Sequence, residues 1–311
     1  MVNLRYHVVS LIAVFLALTV GIVMGSTVVD RVTVDALNER VTSVGRSVNA
    51  AQAENSRLSA QLGTIRDFAD QSRDQLVRGR LKGVPVLLVA LTGIDRKPVD
   101  GLRQALVTSQ ATMAGSLWLT AKMRLDNDAD LRAMAAALDV AVDRPEVLRR
   151  LALARVTEAL AGSTDANPNP ALAALTTAGF VTYEAPPGQA TATIGPNVAL
   201  PPGLRVVVVS GAGADVGDDQ VAMPLARDLG QSPGRLVAAE SGQDTPGGRG
   251  VFVGLVRKDD ALASRVSSVD NLESPMGQAA TVLALEALAG PRTGHFGVGP
   301  GAQRLLPANQ A

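Results

Sequence analysis

The 311-residue sequence has no cysteine, which excludes disulfides, zinc–thiolate sites, iron–sulfur clusters and thiol catalysis. Histidine is nearly absent, with only His7 and His295. Aromatic residues make up 3%, too few for a base-stacking platform, and no nucleic-acid partner is expected. Charge of one sign is also missing: 29 Lys+Arg balance 29 Asp+Glu, so no bulk field points to nucleic acid or to an acidic surface. The motifs H-E-x-x-H and G-x-S-x-G and the protein-kinase signatures do not occur, and no enzymatic activity is expected.

What is present begins with an apolar run from Val8 to Met24, interrupted only by Ser10, Thr19 and Gly21 and free of charge. Its length is at the short end of what spans a hydrocarbon core. Val8, Leu11, Phe15, Gly21 and Gly25 represent the expected membrane helix. Arg5 precedes it, so the positive-inside rule puts the N-terminus in the cytoplasm and the bulk of the chain outside. A cleaved secretory signal is the rival reading, with small residues near Gly25 and Ser26. A run longer than a usual signal core and a weakly basic start favour a retained anchor. Gly21 and Gly25 are spaced G-x-x-x-G, which either lets two membrane helices approach or marks small residues near a helix end.

From Val34 the apolar residues fall on a heptad. One row is Val34, Val41, Val48, Asn55, Leu62, Ala69 and Leu76; the other is Leu37, Val44, Ala51, Leu58, Ile65 and Ser72. Proline is absent between Val34 and Leu76. Such a helix reaches roughly 65 Å at 1.5 Å per residue and cannot bury its stripe alone. A homodimer is therefore expected, with Val34, Leu37, Val41, Val44, Val48, Asn55, Leu58, Leu62 and Ile65 in the seam and Asn55 setting register. The alternative is a long helix packed against its own domain. Gly45, Gly63, Ala51, Ala69 and Ser72 weaken the seam.

Beyond Gly79 the period changes. Val84–Leu91 and Leu204–Ser210 are continuous apolar runs, as in buried strands. Helices are expected over 98–110, 128–139, 145–162, 171–178, 221–229 and from Pro275 to Leu288. Further strands are expected over 113–119, 180–183, 236–239 and 251–256. Thr164–Pro170, Ala185–Pro202 and Gln243–Gly250 read as loops or turns. The expected fold class is α/β: an N-terminal transmembrane helix, a long coiled-coil helix, then a soluble, mostly parallel α/β domain. The expected boundaries are 1–30 for tip and anchor, 31–80 for the stalk and 81–311 for the extracytoplasmic domain.

Ser210, Gly211, Gly213 and Asp215 follow the strongest strand and form a possible ligand turn. Val216 replaces the third glycine of G-x-G-x-x-G and no P-loop lysine follows, so a plain strand-end turn is the stronger reading. The acidic groups Asp218–Asp219, Asp259–Asp260 and Asp126/Asp128/Asp130 read as helix caps and solvated turns. No cofactor is evident. The methionines at 113, 123, 134, 223 and 276 are scattered, and His295 is a lone imidazole, so no copper site is visible in the residues themselves.

The segment Arg5–Ser26, RYHVVSLIAVFLALTVGIVMGS, resembles the N-terminus of the actinobacterial copper transport protein MctB family. So do Ser268-Val269-Asp270-Asn271, the helix Gly277–Leu288 and Gly294-His295-Phe296-Gly297 near the other end. Asp270, Gly294, His295 and Gly297 carry this C-terminal motif. The resemblance implies copper efflux or homeostasis, copper as a ligand by resemblance only, and a location in the cell membrane or, alternatively, the outer membrane. Members of that family also resemble the SteB envelope protein, which implies a regulator of cell separation acting with a SteA-like membrane partner on a cell-wall hydrolase. One apolar helix cannot line a wide channel by itself, and no alternating strand set suggests a membrane barrel. A stalked, non-enzymatic envelope regulator fits the residues better.

Overall fold

The computed structural model describes residues 4–161, 169–188, 200–232, 234–242, 251–290 and 293–308, and for Leu4 and residues 26–34 the backbone alone. The chain divides into two units, Met1–Ile65 and Arg66–Ala311.

Helix α1 spans Leu4–Val77. Its first part, Arg5–Gly25, has a mean hydropathy of 2.6 and is long and apolar enough to cross a membrane. Val8, Leu11 and Phe15 are exposed, as suits side chains whose solvent is lipid, and a Cβ added at Gly21 or Gly25 would meet nothing. Leu37, Val41, Val44, Val48, Leu58, Leu62 and Ile65 are exposed as well, as is Asn55. The side chain of Val34 lies outside the described residues.

In the second unit, seven strands among the described residues form one sheet in the order β3-β2-β1-β4-β5-β6-β7. They are β1 (Pro85–Leu91), β2 (Thr112–Leu119), β3 (Val181–Glu184), β4 (Arg205–Gly211), β5 (Leu236–Ser241), β6 (Ser267–Val269) and β7 (His295–Phe296). Every pairing is parallel except β2 with β3. The sheet is therefore mixed but mostly parallel.

Both faces are covered, which explains the unbroken apolar runs of β1 and β4. Leu87, Val89, Val206 and Val208 point to one core, which includes Leu148, Val156, Met223 and Phe252. Val86, Leu88, Val207 and Val209 point to the other, which includes Leu102, Leu106, Val282 and Leu285. The first face is packed by α3 (Asp128–Leu138), α4 (Pro145–Leu160), α5 (Pro170–Thr177), α6 (Ala222–Leu229) and α7 (Phe252–Lys258). The second is packed by α2 (Arg96–Thr108) and α9 (Pro275–Ala287), with Val77 and Leu81 joining them. Helix starts follow local chemistry. Asn127, Asn169 and Ser274 accept from backbone amides one turn on, and Pro145, Pro170 and Pro275 sit where a missing N–H costs nothing.

One expected strand is a helix. Residues 251–256 read as a strand because they are apolar, yet Val251 is the N-cap and 252–256 the start of α7, with Phe252, Val253 and Val256 buried and Lys258 exposed, a helical spacing. The Glu240 carboxylate accepts from Val253 N at 3.0 Å and so caps this short helix. Strands β6 and β7 and the short helix α8 (Asp260–Ala263) are absent from the sequence reading. The expected loop at 164–170 and that at 185–202 lie partly, and the turn at 243–250 wholly, outside the described residues.

Candidate functional site at the carboxyl ends of the strands

In an open parallel sheet the crevice lies where strand order reverses, here between β1 and β4. The Ser210–Asp215 turn is at that point, and other backbone fills the space around it. Asp215 N donates to Thr92 O at 2.8 Å, Ala212 N to Ser241 O at 3.2 Å and Ala214 N to Gly211 O at 3.2 Å. A Cβ on Gly93 would stand 2.3 Å from Gly213 O, and one on Gly211 would stand 2.2 Å from Ser241 O. The glycines thus allow three strand-end turns to touch, and the amides of Ala212, Ala214 and Asp215 already donate to carbonyls. Ser210 Oγ donates to the buried Asp218 carboxylate. Burial raises the Asp218 pKa, with the Ser210 bond opposing. Asp218 is therefore not a solvated turn residue. Asp259 does cap α8, accepting from Leu262 N at 3.2 Å.

Two strands along the sheet, the C-terminal motif comes together. Asp270 follows β6 and is 2% exposed. Its Oδ2 accepts from Arg257 Nη1 at 2.5 Å and Gly299 N at 2.9 Å, and its Oδ1 from Val298 N at 2.8 Å. Gly297 has φ +124°, and a Cβ there would stand 2.0 Å from Asp270 Oδ1, so only glycine lets this turn wrap the carboxylate. Arg257 also donates from Nε to Ser268 Oγ at 3.0 Å, from Nη2 to Phe296 O at 2.8 Å and from Nη1 to Pro300 O at 3.0 Å. Ser268 Oγ lies 2.9 Å from His295 Nδ1. Burial, and then the Arg257 charge, hold that imidazole below its usual pKa. Gly294 N donates to Ser267 Oγ at 3.2 Å, which pins the start of β7 to β6.

Arg257 and Glu240 are the members of this cluster that the sequence reading missed. Their only signal is a charge at the end of an apolar run, in FVGLVRK and in LVAAES. Glu240 is 3% exposed, and burial foremost, then the Asp218 and Asp270 charges, raise its pKa to about 7 against the pull of the Val253 and Phe252 amides. With Arg257 and Asp270 it lines a cleft of about 530 Å³ between α7 and residues 298–301.

Ligands for a metal are not assembled in this way. Among the described residues, no group of three or more His, Cys, Asp or Glu could hold an ion. Met123, Met134 and Met223 are buried in the first core, Met113 packs against the second, and Met276 is exposed.

A family model described as "Copper transport outer membrane protein, MctB" matches residues 1–307. The protein named "Copper transporter MctB" from Mycobacterium tuberculosis (strain ATCC 25618 / H37Rv) is 26% identical, over 98% of this chain and 99% of its own length. That of Mycobacterium leprae (strain TN) is 27% identical, again over 98% and 99%.

Proposed function

The chain belongs to the MctB family of copper transport proteins, and from that premise we propose that it supports copper efflux from the cell envelope as a single-pass, membrane-anchored protein. The observation that carries this is the extent of the match: it covers the apolar helix and the α/β domain together. Arg5 at the start of the span favours a cytoplasmic N-terminus and an extracytoplasmic α/β domain. The exposed row from Leu37 to Ile65 favours pairing of α1 with a second copy along the heptad seam, with Asn55 in register. Burial of three methionines in the core favours an indirect part in copper handling, through envelope partners, over coordination by the α/β domain.

The test is deletion of the gene followed by measurement of cell-associated copper and copper tolerance. Copper content should rise and tolerance fall, and the intact chain should restore both. A chain carrying Leu11→Arg and Phe15→Arg should not, because each charge at mid-span costs about 2.5–3.5 kcal/mol of insertion. Unchanged copper content and tolerance in the deletion strain would overturn the proposal.

A further inference from the structure

The cleft between α7 and residues 298–301 has features that neither anchoring nor copper handling uses. Glu240 Oε2 accepts from Val253 N, and the Phe252 amide also pulls on the carboxylate, but Oε1 is buried and makes no hydrogen bond among the described residues. A buried oxygen left in that state costs about 1–3 kcal/mol, which a bound donor would recover. The nearest protein cation cannot serve, because the Arg257 guanidinium is engaged by Asp270, Ser268 and two backbone carbonyls. Lys258 lines the cleft but is exposed, with its charge in water. Asp218 and Asp270 add negative potential at Glu240, so the species this place attracts is a cation with N–H donors. Val251, Val253, Val298 and Pro300 give the walls an apolar character that suits a hydrocarbon body.

We propose that this cleft is a binding site for a small ligand that carries an ammonium group on an apolar body, with Glu240 as the acceptor of that ammonium. Burial raises the Glu240 pKa to about 7, and any proton the carboxyl holds leaves as the ammonium docks. The carboxylate, itself only 3% exposed, then forms a charge-assisted hydrogen bond.

The experiment uses the full chain in detergent micelles with 3-methylbutylamine as probe and 3-methylbutanol as its neutral counterpart. The amine remains charged at pH 7, so any proton released comes from the protein. Calorimetric titration at pH 7 in two buffers of different ionisation heat should show protons released as the amine binds. The amine should bind about tenfold or more tightly than the alcohol, and Glu240→Gln should remove that advantage together with the proton release. Should Glu240→Gln fail to fold, Val298→Trp, placed at an exposed position on the cleft, should block the amine while leaving the melting temperature close to that of the parent. No binding of the amine, equal binding of amine and alcohol, or amine binding unchanged by these substitutions would overturn the proposal. Copper accumulation in the deletion strain is a separate readout, so this site and the copper role stand or fall independently.

Discussion

Replacing Asp270 by Asn tests the C-terminal knot with almost no change of shape. The Asp270 and Arg257 side chains are only 3% and 6% exposed, so this ion pair is held away from water. Asn offers one acceptor oxygen where three donors converge, from Arg257, Val298 and Gly299. Its best orientation keeps the oxygen toward Arg257 and Gly299 and turns an NH2 against the Val298 amide. Arg257 keeps Ser268 and two carbonyls as partners but loses its counter-charge. Removing one member of a buried pair costs about 3–5 kcal/mol. At roughly 2–4 °C per kcal/mol for a unit of this size, the melting temperature should fall by about 6–20 °C. Trp118, the one tryptophan, is buried in β2 and reports unfolding of the sheet by fluorescence. The double change Arg257→Met with Asp270→Leu should recover much of the loss, since an apolar pair leaves no orphaned charge. A loss under about 1 kcal/mol for Asp270→Asn would refute the view that this pair is a buried, desolvated knot.

Gly297→Ala should cost at least about 2 kcal/mol in the same unfolding assay, because its Cβ would collide with the Asp270 carboxylate at a positive φ; a neutral effect would contradict the turn geometry. Glu240 gives a pH dependence whose sign follows from its pKa, raised from 4.5 to about 7. Between those values the folded chain retains a proton that the unfolded chain has released, so stability should decline as pH rises through that window, by about 3 kcal/mol in all. Urea unfolding at several pH values should show this slope, and Glu240→Gln should flatten it; a slope that survives the substitution would assign it elsewhere. Asn55→Cys should cross-link into a disulfide dimer in membranes under mild oxidation, whereas a Cys three residues away at Gln52 should do so far less, and equal yields would argue against the heptad seam.

The parts of the fold visible in the sequence are those where burial on both faces forces an apolar run, as in β1 and β4, or where a capping residue and proline mark a helix start, as at Ser274–Pro275. Strand β6 was hidden because Ser267 and Ser268 are polar; both are buried only because their hydroxyls bond Gly294 N, Arg257 and His295 from distant segments. Helix α7 was mistaken for a strand because seven residues are too few for period 3.6 to separate from a plain apolar run, and its cap comes from Glu240 on another element. The site was legible in part. The resemblance picks out Asp270, Gly294, His295 and Gly297, and the structure brings them together. Arg257, which ties Asp270, Ser268 and residues 296–300 into one cluster, could not be singled out among the other arginines without the contacts that bury it. The Ser210–Asp215 glycines signal a close approach in the sequence; only the turns packed on them show that what they admit is neighbouring backbone.

Everything proposed for the cell depends on residues 5–25 staying in the bilayer. The direct measurement is alkaline carbonate extraction of native membranes, followed by intact-mass determination of the extracted chain. The expected result is a chain that remains with the membrane pellet and retains its sequence from the first residues through Gly25. A soluble chain that begins after Gly25 would contradict it.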